Sequence, residues 1–267
     1  MNPNRNPHPA AGRATRFTDR RDAGGQLAEA LTELRGPGTV VLGLPRGGVP
    51  VAEEVAVRLG APLDVCLVRK LGVPFDPELA LGAIGEDGIR VLNEDVLGVA
   101  RLGPDALAGL ESRERAVLQR RVRVYRRARD RVDVAGRRVV LVDDGIATGA
   151  TARAACQVVR ARGASGVVVA APVGPPDVTA RLGPAADACV CLATPPGFAA
   201  IGGFYADFSQ TDDAEVLACL ARAQARSSEP TGSSGPAAPS GATRSDRPTG
   251  PDGSAGPAHG LPGRPRH

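Results

Sequence analysis

The sequence predicts an α/β fold: a mostly parallel central sheet flanked by helices, with a hairpin insert able to act as a lid and a small hood beside it. Three observations predict this. Five short apolar runs are continuous rather than alternating, as strands covered on both faces are. Helical patterns lie between them, the alternation that builds right-handed βαβ units. The third run ends in two carboxylates and a small-residue turn that leads directly into a helix, which marks a ligand edge of an open sheet.

The strand-like runs are Thr39–Leu44 (TVVLGL), Asp64–Val68 (DVCLV), Arg138–Val142 (RVVLV), Gly166–Ala170 (GVVVA) and Ala188–Leu192 (ACVCL). Val49–Leu59 follows the first as a helix, and Ala150–Arg162 follows the third, stopping before Gly163, a residue suited to ending a helix. The stretch from Leu71 to Leu102 interrupts the alternation. Within it Leu79–Ile84 and Ile89–Asn93 flank Glu86-Asp87-Gly88, the pattern of a hairpin and its turn. Farther on, Glu111–Arg131 carries nine arginines against three acids. Its apolar positions Leu107, Leu110, Val117, Val124 and Ala128 form one narrow helical stripe, so an amphipathic helix with a solvated basic face is expected. A nucleic-acid surface would interleave aromatic residues for base stacking, and this stretch has a single tyrosine.

Composition bounds the rest. Apolar residues make up 42% of the 267, enough for one substantial domain, placed at residues 13–226. Residues 1–12 (MNPNRNPHPAAG) read as a flexible start. Residues 227–267 are dominated by Pro, Gly and Ser, too poor in large apolar groups to offset their ordering entropy, and read as a disordered tail. No apolar run approaches the length of a membrane span, and the polar, proline-bearing start is not a secretory signal. The five cysteines (Cys66, Cys156, Cys189, Cys191, Cys219) show no paired CxxC spacing and fit buried free thiols in a reducing, cytoplasmic compartment.

The chemistry concentrates in VVLVDDGIATGATARAA, Val139–Ala155. Asp143 and Asp144 end a strand, so they stand at the ligand edge. In the turn that follows, Ala147, Thr148, Gly149, Ala150 and Thr151 let backbone N–H groups and two hydroxyls point inward at the start of a helix, a pocket suited to a phosphate monoester. Two adjacent carboxylates beside it suit two adjacent sugar hydroxyls, and they would favour positive charge developing on the sugar ring. A ribose 5-phosphate satisfies both halves. In LPRGGV, Arg46 stands beside Gly47 and Gly48, whose backbone an anion can approach closely, and Arg69-Lys70 end the next run at the same sheet edge. These cations and open backbone donors could hold a diphosphate, with Mg²⁺ bridging its oxygens. No GxxxxGK[ST], GxGxxG or GxSxG motif competes, which sets aside P-loop, dinucleotide and serine-hydrolase sites.

VVLVDDGIATGAT resembles the phosphoribosyl-diphosphate (PRPP) binding signature of type I phosphoribosyltransferases, with Gly145 where an apolar residue is usual. VVLGLPRGGVPVAEEVA (Val40–Ala56) resembles that family's strand, pyrophosphate loop and helix, and VRKLG (Val68–Gly72) its next basic segment. The resemblance implies transfer of ribose 5-phosphate from PRPP, with Mg²⁺, to a nitrogenous base or related small-molecule acceptor. Diphosphate would depart through an oxocarbenium-like state, and homodimers are common for such folds. It also implies that the Leu71–Gly103 insert is a mobile catalytic loop, and that Arg16–Asp22 and Thr194–Gln210, with Phe198, Phe204, Tyr205 and Phe208, form the acceptor hood. The family's 6-oxopurine enzymes place a carboxylate at the position of Ala147, so hypoxanthine and guanine are disfavoured acceptors. A PRPP-binding regulator without turnover would use the same turn and would need an output surface, for which the basic helix is the candidate.

Overall fold

The computed structural model describes residues 16–73, 76–100, 102–127 and 130–228, and all of them fall in one compact unit. The expected flexible start at 1–12 and nearly all of the expected tail at 227–267 lie outside the described residues. The main sheet holds five strands: β1 (Thr39–Gly43), β2 (Leu63–Val65), β6 (Arg138–Val142), β7 (Gly166–Val173) and β8 (Ala188–Ala193). Their order is β2-β1-β6-β7-β8 and every pairing is parallel. Each strand matches an expected run to within a few residues.

Alternate residues of these strands feed two cores. Val41, Val140 and Val142 pack with α1 (Arg20–Ala30), α2 (Gly48–Leu59) and α7 (Asp213–Ser228). Val40, Leu42, Val139 and Leu141 pack on the opposite face with α5 (Ala150–Ala161) and α6 (Val178–Leu182). Both faces are thus covered, which is why the runs are apolar throughout rather than at every second position.

The second expected run needs correcting. Only Leu63–Val65 joins the main sheet; the Cys66 N–H still donates to the Gly43 carbonyl (3.0 Å), and the chain then leaves it. Val68 opens β3 (Val68–Val73), which pairs antiparallel with β4 (Asp76–Gly85), itself paired with β5 (Arg90–Leu92). Arg69 and Lys70 therefore lie inside a strand of a separate three-stranded sheet rather than at the end of a parallel one. That sheet packs between α4 (Pro104–Tyr125) and α5: Leu71, Val73, Leu81 and Ile84 join the core that contains Leu118, and Ala83 packs with Ala154 and Val158. A short helix, α3 (Glu94–Ala100), links β5 to α4.

The expected hairpin turn at Glu86–Gly88 is present as a single 3₁₀ turn between β4 and β5. This end of the insert is held by charge pairs. Glu86 is buried and accepts from Arg126 Nε and Nη2 (2.8 and 2.9 Å), Arg126 Nη1 reaches Asp64 (2.7 Å), and Asp87 pairs with Arg131. Asp64 is fully buried and also takes the Val65 and Val132 N–H groups (2.8 and 3.0 Å), so both carboxylates are hydrogen-bonded where they are desolvated. The stripe of α4 also differs from expectation. Leu118 and Tyr125 are its buried residues, while Val124 is 39% exposed and Ala128 lies outside the described residues. Counting from Leu107 at 3.6 residues per turn arrives at Leu118 and Tyr125; spacing by sevens picked their neighbours Val117 and Val124 instead.

Candidate functional site

The strand ends that position the site are β1 and β6. The Leu44 N–H donates to the Val142 carbonyl (2.8 Å), which keeps the two exits in register and brings the loop at 45–48 against Asp143 and Asp144. The contact is close enough to require glycine. A Cβ at Gly47 would lie 2.0 Å from Asp144 Oδ2, and one at Gly48 would lie 2.6 Å from the Val142 carbonyl and 2.8 Å from Asp143 Cα. The Pro45–Arg46 peptide within this loop is cis.

Beyond the acid pair the chain turns through Gly145–Gly149 into α5. The Ile146 N–H is held by the Val173 carbonyl (2.9 Å), and Gly149 has φ 77°, a left-handed conformation that places α5's first residue at the turn. Asp143, Asp144, Ala147, Thr148, Gly149, Thr151 and Ile201 are among the residues lining a cavity of about 180 Å³. A second cavity of about 210 Å³ is lined by Leu44, Pro45, Cys66, Arg69, Lys70, Arg121 and Thr151, among others. Thr151 belongs to both walls, so the small-residue turn with its carboxylates adjoins a pocket lined by three cations.

The electrostatics of the pair follow from burial. Desolvation, then the neighbouring Asp144 charge, push the Asp143 carboxyl well above the usual carboxylate range. Burial also raises the Asp144 carboxyl, against the pull of Arg20. Asp143 Oδ1 accepts the Asp144 N–H (2.9 Å), and Asp144 Oδ2 accepts Arg20 Nε (2.8 Å). Each carboxylate therefore has one oxygen fixed by a protein N–H, and the two carboxyls also hydrogen-bond to one another.

The remaining expected residues divide. Arg69 and Lys70 reach the basic cavity, with Arg69 also paired to Glu114 of α4 (2.6 Å). Arg46 lines neither cavity; its guanidinium bears electrostatically on Tyr125 of α4. The two hood segments do come together. The Phe17 N–H donates to the Phe204 carbonyl and the Ala206 N–H to the Phe17 carbonyl, both at 2.8 Å. The hood aromatics chiefly satisfy one another: Phe17 and Tyr205 are 5.5 Å apart, Phe198 and Phe204 stack at 6.0 Å, and Phe208 lies under the Arg20 guanidinium.

Arg20, Ile201 and Tyr205, expected only as parts of the hood, reach the acid pair or its turn, and Arg121, expected only on a solvated basic face, reaches the second cavity. Arg20 pairs with Asp144, and the Tyr205 hydroxyl donates to the Asp144 carbonyl (2.6 Å). Ile201 fills the space above Gly145, where a Cβ would meet its Cγ2 at 2.5 Å, which explains the glycine in that place. Arg121 extends from the basic helix into the second cavity. The last had a signal: Arg121 falls between Leu118 and Tyr125, three and four residues from each, on the helix's inward face.

Comparison with known proteins places this geometry. A family model described as the phosphoribosyl transferase domain matches residues 21–192. Two Mycobacterium tuberculosis proteins, Rv0571c and MT0597, are provisionally named phosphoribosyl transferases, and each is 60% identical to this chain over 207 residues. The match covers 78% of this chain and 47% of theirs, so the chain spans about half the length of the curated relatives it matches. The crystal structure of TT1426 from Thermus thermophilus is similar at 50% identity with a TM-score of 0.72, covering 78% of this chain and 98% of that one.

Proposed function

The chain belongs to the phosphoribosyl transferase domain family, and from that premise we propose that it transfers ribose 5-phosphate from PRPP to a nitrogenous base or related small acceptor, releasing diphosphate. One observation carries the reading: the small-residue turn with its carboxylate pair and the cavity lined by Arg69, Lys70 and Arg121 meet at Thr151. A phosphorylated sugar carrying a diphosphate has matching parts, a monoester for the turn, hydroxyls for the acids and a polyanion for the cations.

In the proposed step the bond from ribose C1 to the diphosphate oxygen breaks and a bond from C1 to the acceptor nitrogen forms, the electron pair leaving with the diphosphate. The backbone donors of Ala147–Thr151, at the positive end of α5, hold the 5-phosphate. The carboxylates of Asp143 and Asp144 accept the ribose hydroxyls and stabilise the ring as it becomes cationic. Arg69, Lys70 and Arg121 offset charge on the departing diphosphate, and the Gly47-Gly48 backbone lets it approach. Magnesium would be held through the diphosphate and ribose oxygens rather than by a protein side chain, and would supply further charge neutralisation there.

Ala147, exposed at the rim of the first cavity, has no group to exchange a proton with the acceptor, which argues against a 6-oxopurine. A purely regulatory reading would need the basic helix as its output surface, from which Arg121 turns to the site and Arg126 to Asp64 and Glu86 while Arg113, Arg120 and Arg123 stay exposed. Calorimetric titration of PRPP with Mg²⁺ tests the proposal. Saturable binding by the wild type that is lost in Asp143→Asn/Asp144→Asn supports it, and no binding by a folded wild type ends it.

A further inference from the structure

Arg20 lies outside the motif and touches both the acid pair and the hood. It is the first residue of α1, and the position of that helix is set by Asp19, whose carboxylate accepts from the N–H groups of Arg21 and Asp22 (2.8 and 2.9 Å). From this anchored start the guanidinium meets three partners and stands beside Gly47. Nε donates to Asp144 Oδ2 at 2.8 Å, and Nη1 donates to the Ser209 carbonyl at 2.7 Å. Its Cζ stands 4.0 Å from the centroid of the Phe208 ring, and Nε is 3.0 Å from where a Gly47 side chain would begin. The side chains of Arg20 and Asp144 are only 12% and 14% exposed, so the pair is shielded from solvent screening. The Tyr205 hydroxyl fastens the same hood segment to the Asp144 carbonyl.

We infer that Arg20 is a positioning residue: it orients the Asp144 carboxylate for the ligand and, through Phe208 and Ser209, ties the hood to the donor site. The first half rests on the proposed reaction for the identity of the ligand; the second half does not. With Oδ2 held by Arg20 and the carboxyl in contact with Asp143, the orientation of Asp144 toward a ligand is set by the guanidinium. Because the guanidinium also carries the hood, the acceptor-side cover and the ribose-side acids are positioned by one group, and displacing either disturbs the other. The charged and titratable groups bearing on this contact are Asp143 just after β6, Tyr205 and Asp207 from the hood, and Arg20 itself.

Two measurements on the full chain, with Arg20→Gln, Arg20→Lys and Phe208→Ala, test this. The first is PRPP affinity with Mg²⁺ between about pH 5.5 and 8.5. Without the guanidinium the acid pair keeps a proton to higher pH, so Arg20→Gln is expected to lose roughly tenfold or more in affinity near pH 6 and to recover part of it as pH rises, with Arg20→Lys between. The second is amide exchange of unliganded protein at Ala206 and Asp207, whose N–H groups bond to Phe17 and Thr18; protection is expected to fall in Arg20→Gln and Phe208→Ala. A loss of affinity uniform across pH would overturn the orienting role, and unchanged exchange would overturn the tie to the hood. Were the wild type to bind no PRPP, the transferase reading would fall, while the exchange comparison would still decide whether Arg20 holds the hood.

Discussion

Asp143 and Asp144 are adjacent like charges held largely out of water, which burdens the unliganded protein and favours a ligand bearing hydroxyls or positive charge. The Asp143 carboxyl is raised in the folded state, by burial first and by Asp144 second. A raised carboxyl costs nothing below its ordinary range, near pH 4; its cost grows from there up to the folded-state value and is fully present above it. Asp143→Asn is therefore expected to raise the thermal midpoint at pH 7 and leave it unchanged near pH 3, while weakening PRPP roughly tenfold or more. Thermal scans at the two pH values separate the causes, since an equal shift at both would point to packing rather than charge. The neighbouring glycines carry a different expectation. Gly47→Ala forces a methyl group onto Asp144 Oδ2 and should destabilise by about 1–3 kcal/mol and abolish saturable PRPP binding; a variant that binds normally would show that the loop and the acids move apart freely. The acid pair and its turn were legible in the sequence because all their parts are contiguous. Why residue 47 must be glycine was not, because the obstruction comes from residue 144, and only tertiary structure sets the two side by side.

Glu53 shows what a single charge does for a helix layer. It lies on α2 with its side chain 3% exposed, and it receives Arg21 of α1 (2.9 Å) and both Nε and Nη2 of Arg222 on α7 (2.8 and 2.7 Å). Burial alone would raise its carboxyl, but hydrogen bonds from Arg222, Cys219 and Arg21 outweigh that and hold it down at about 2. A lowered carboxyl contributes stability that is fully present above its unfolded value near pH 4.5 and is lost as pH falls toward 2. Glu53→Gln should cost about 2 kcal/mol at pH 7, below the usual figure for breaking a buried pair because Arg21 and Arg222, 41% and 46% exposed, can turn to water. The deficit should shrink by pH 2.5, as denaturant midpoints at the two pH values would reveal; a deficit unchanged with pH would mean that shape, not charge, holds α1, α2 and α7 together. Elements differ in how readily the sequence betrays them. The five parallel strands are buried on both faces and read as plain apolar runs. β3 carries Arg69 and Lys70 between its apolar residues because its sheet lies near the ligand edge, and no apolar run announced it. The hairpin was legible from its turn, but its fastening by Arg126 joins residues 64, 86 and 126, a relation that no local pattern contains.

At the scale of the molecule the five cysteines report on whether the fold opens in pieces or as a whole. Cys66 follows edge strand β2 and lines the basic cavity, Cys189 and Cys191 lie on the opposite edge strand β8, Cys156 is on α5 and Cys219 on α7. All are free, and four are buried, with Cys189 partly covered. Burial pushes the thiols of Cys66, Cys156, Cys191 and Cys219 up to about 12 and that of Cys189 to about 11. The thiolate is the reactive form, so at pH 8 alkylation should proceed almost entirely through opened molecules. Because both edges of the parallel sheet and both helix layers share continuous cores, all five are expected to react at one slow common rate, followed by intact mass as a single step from zero to five labels. PRPP with Mg²⁺ binds the closed form and should slow every thiol by the same factor, one plus the ratio of ligand concentration to Kd. Early labelling of Cys189 would mean that the β8 edge opens by itself. Protection confined to Cys66 would mean that the ligand covers its cavity without stabilising the fold, and the carboxylate pair just after β6 would then not be part of what holds it.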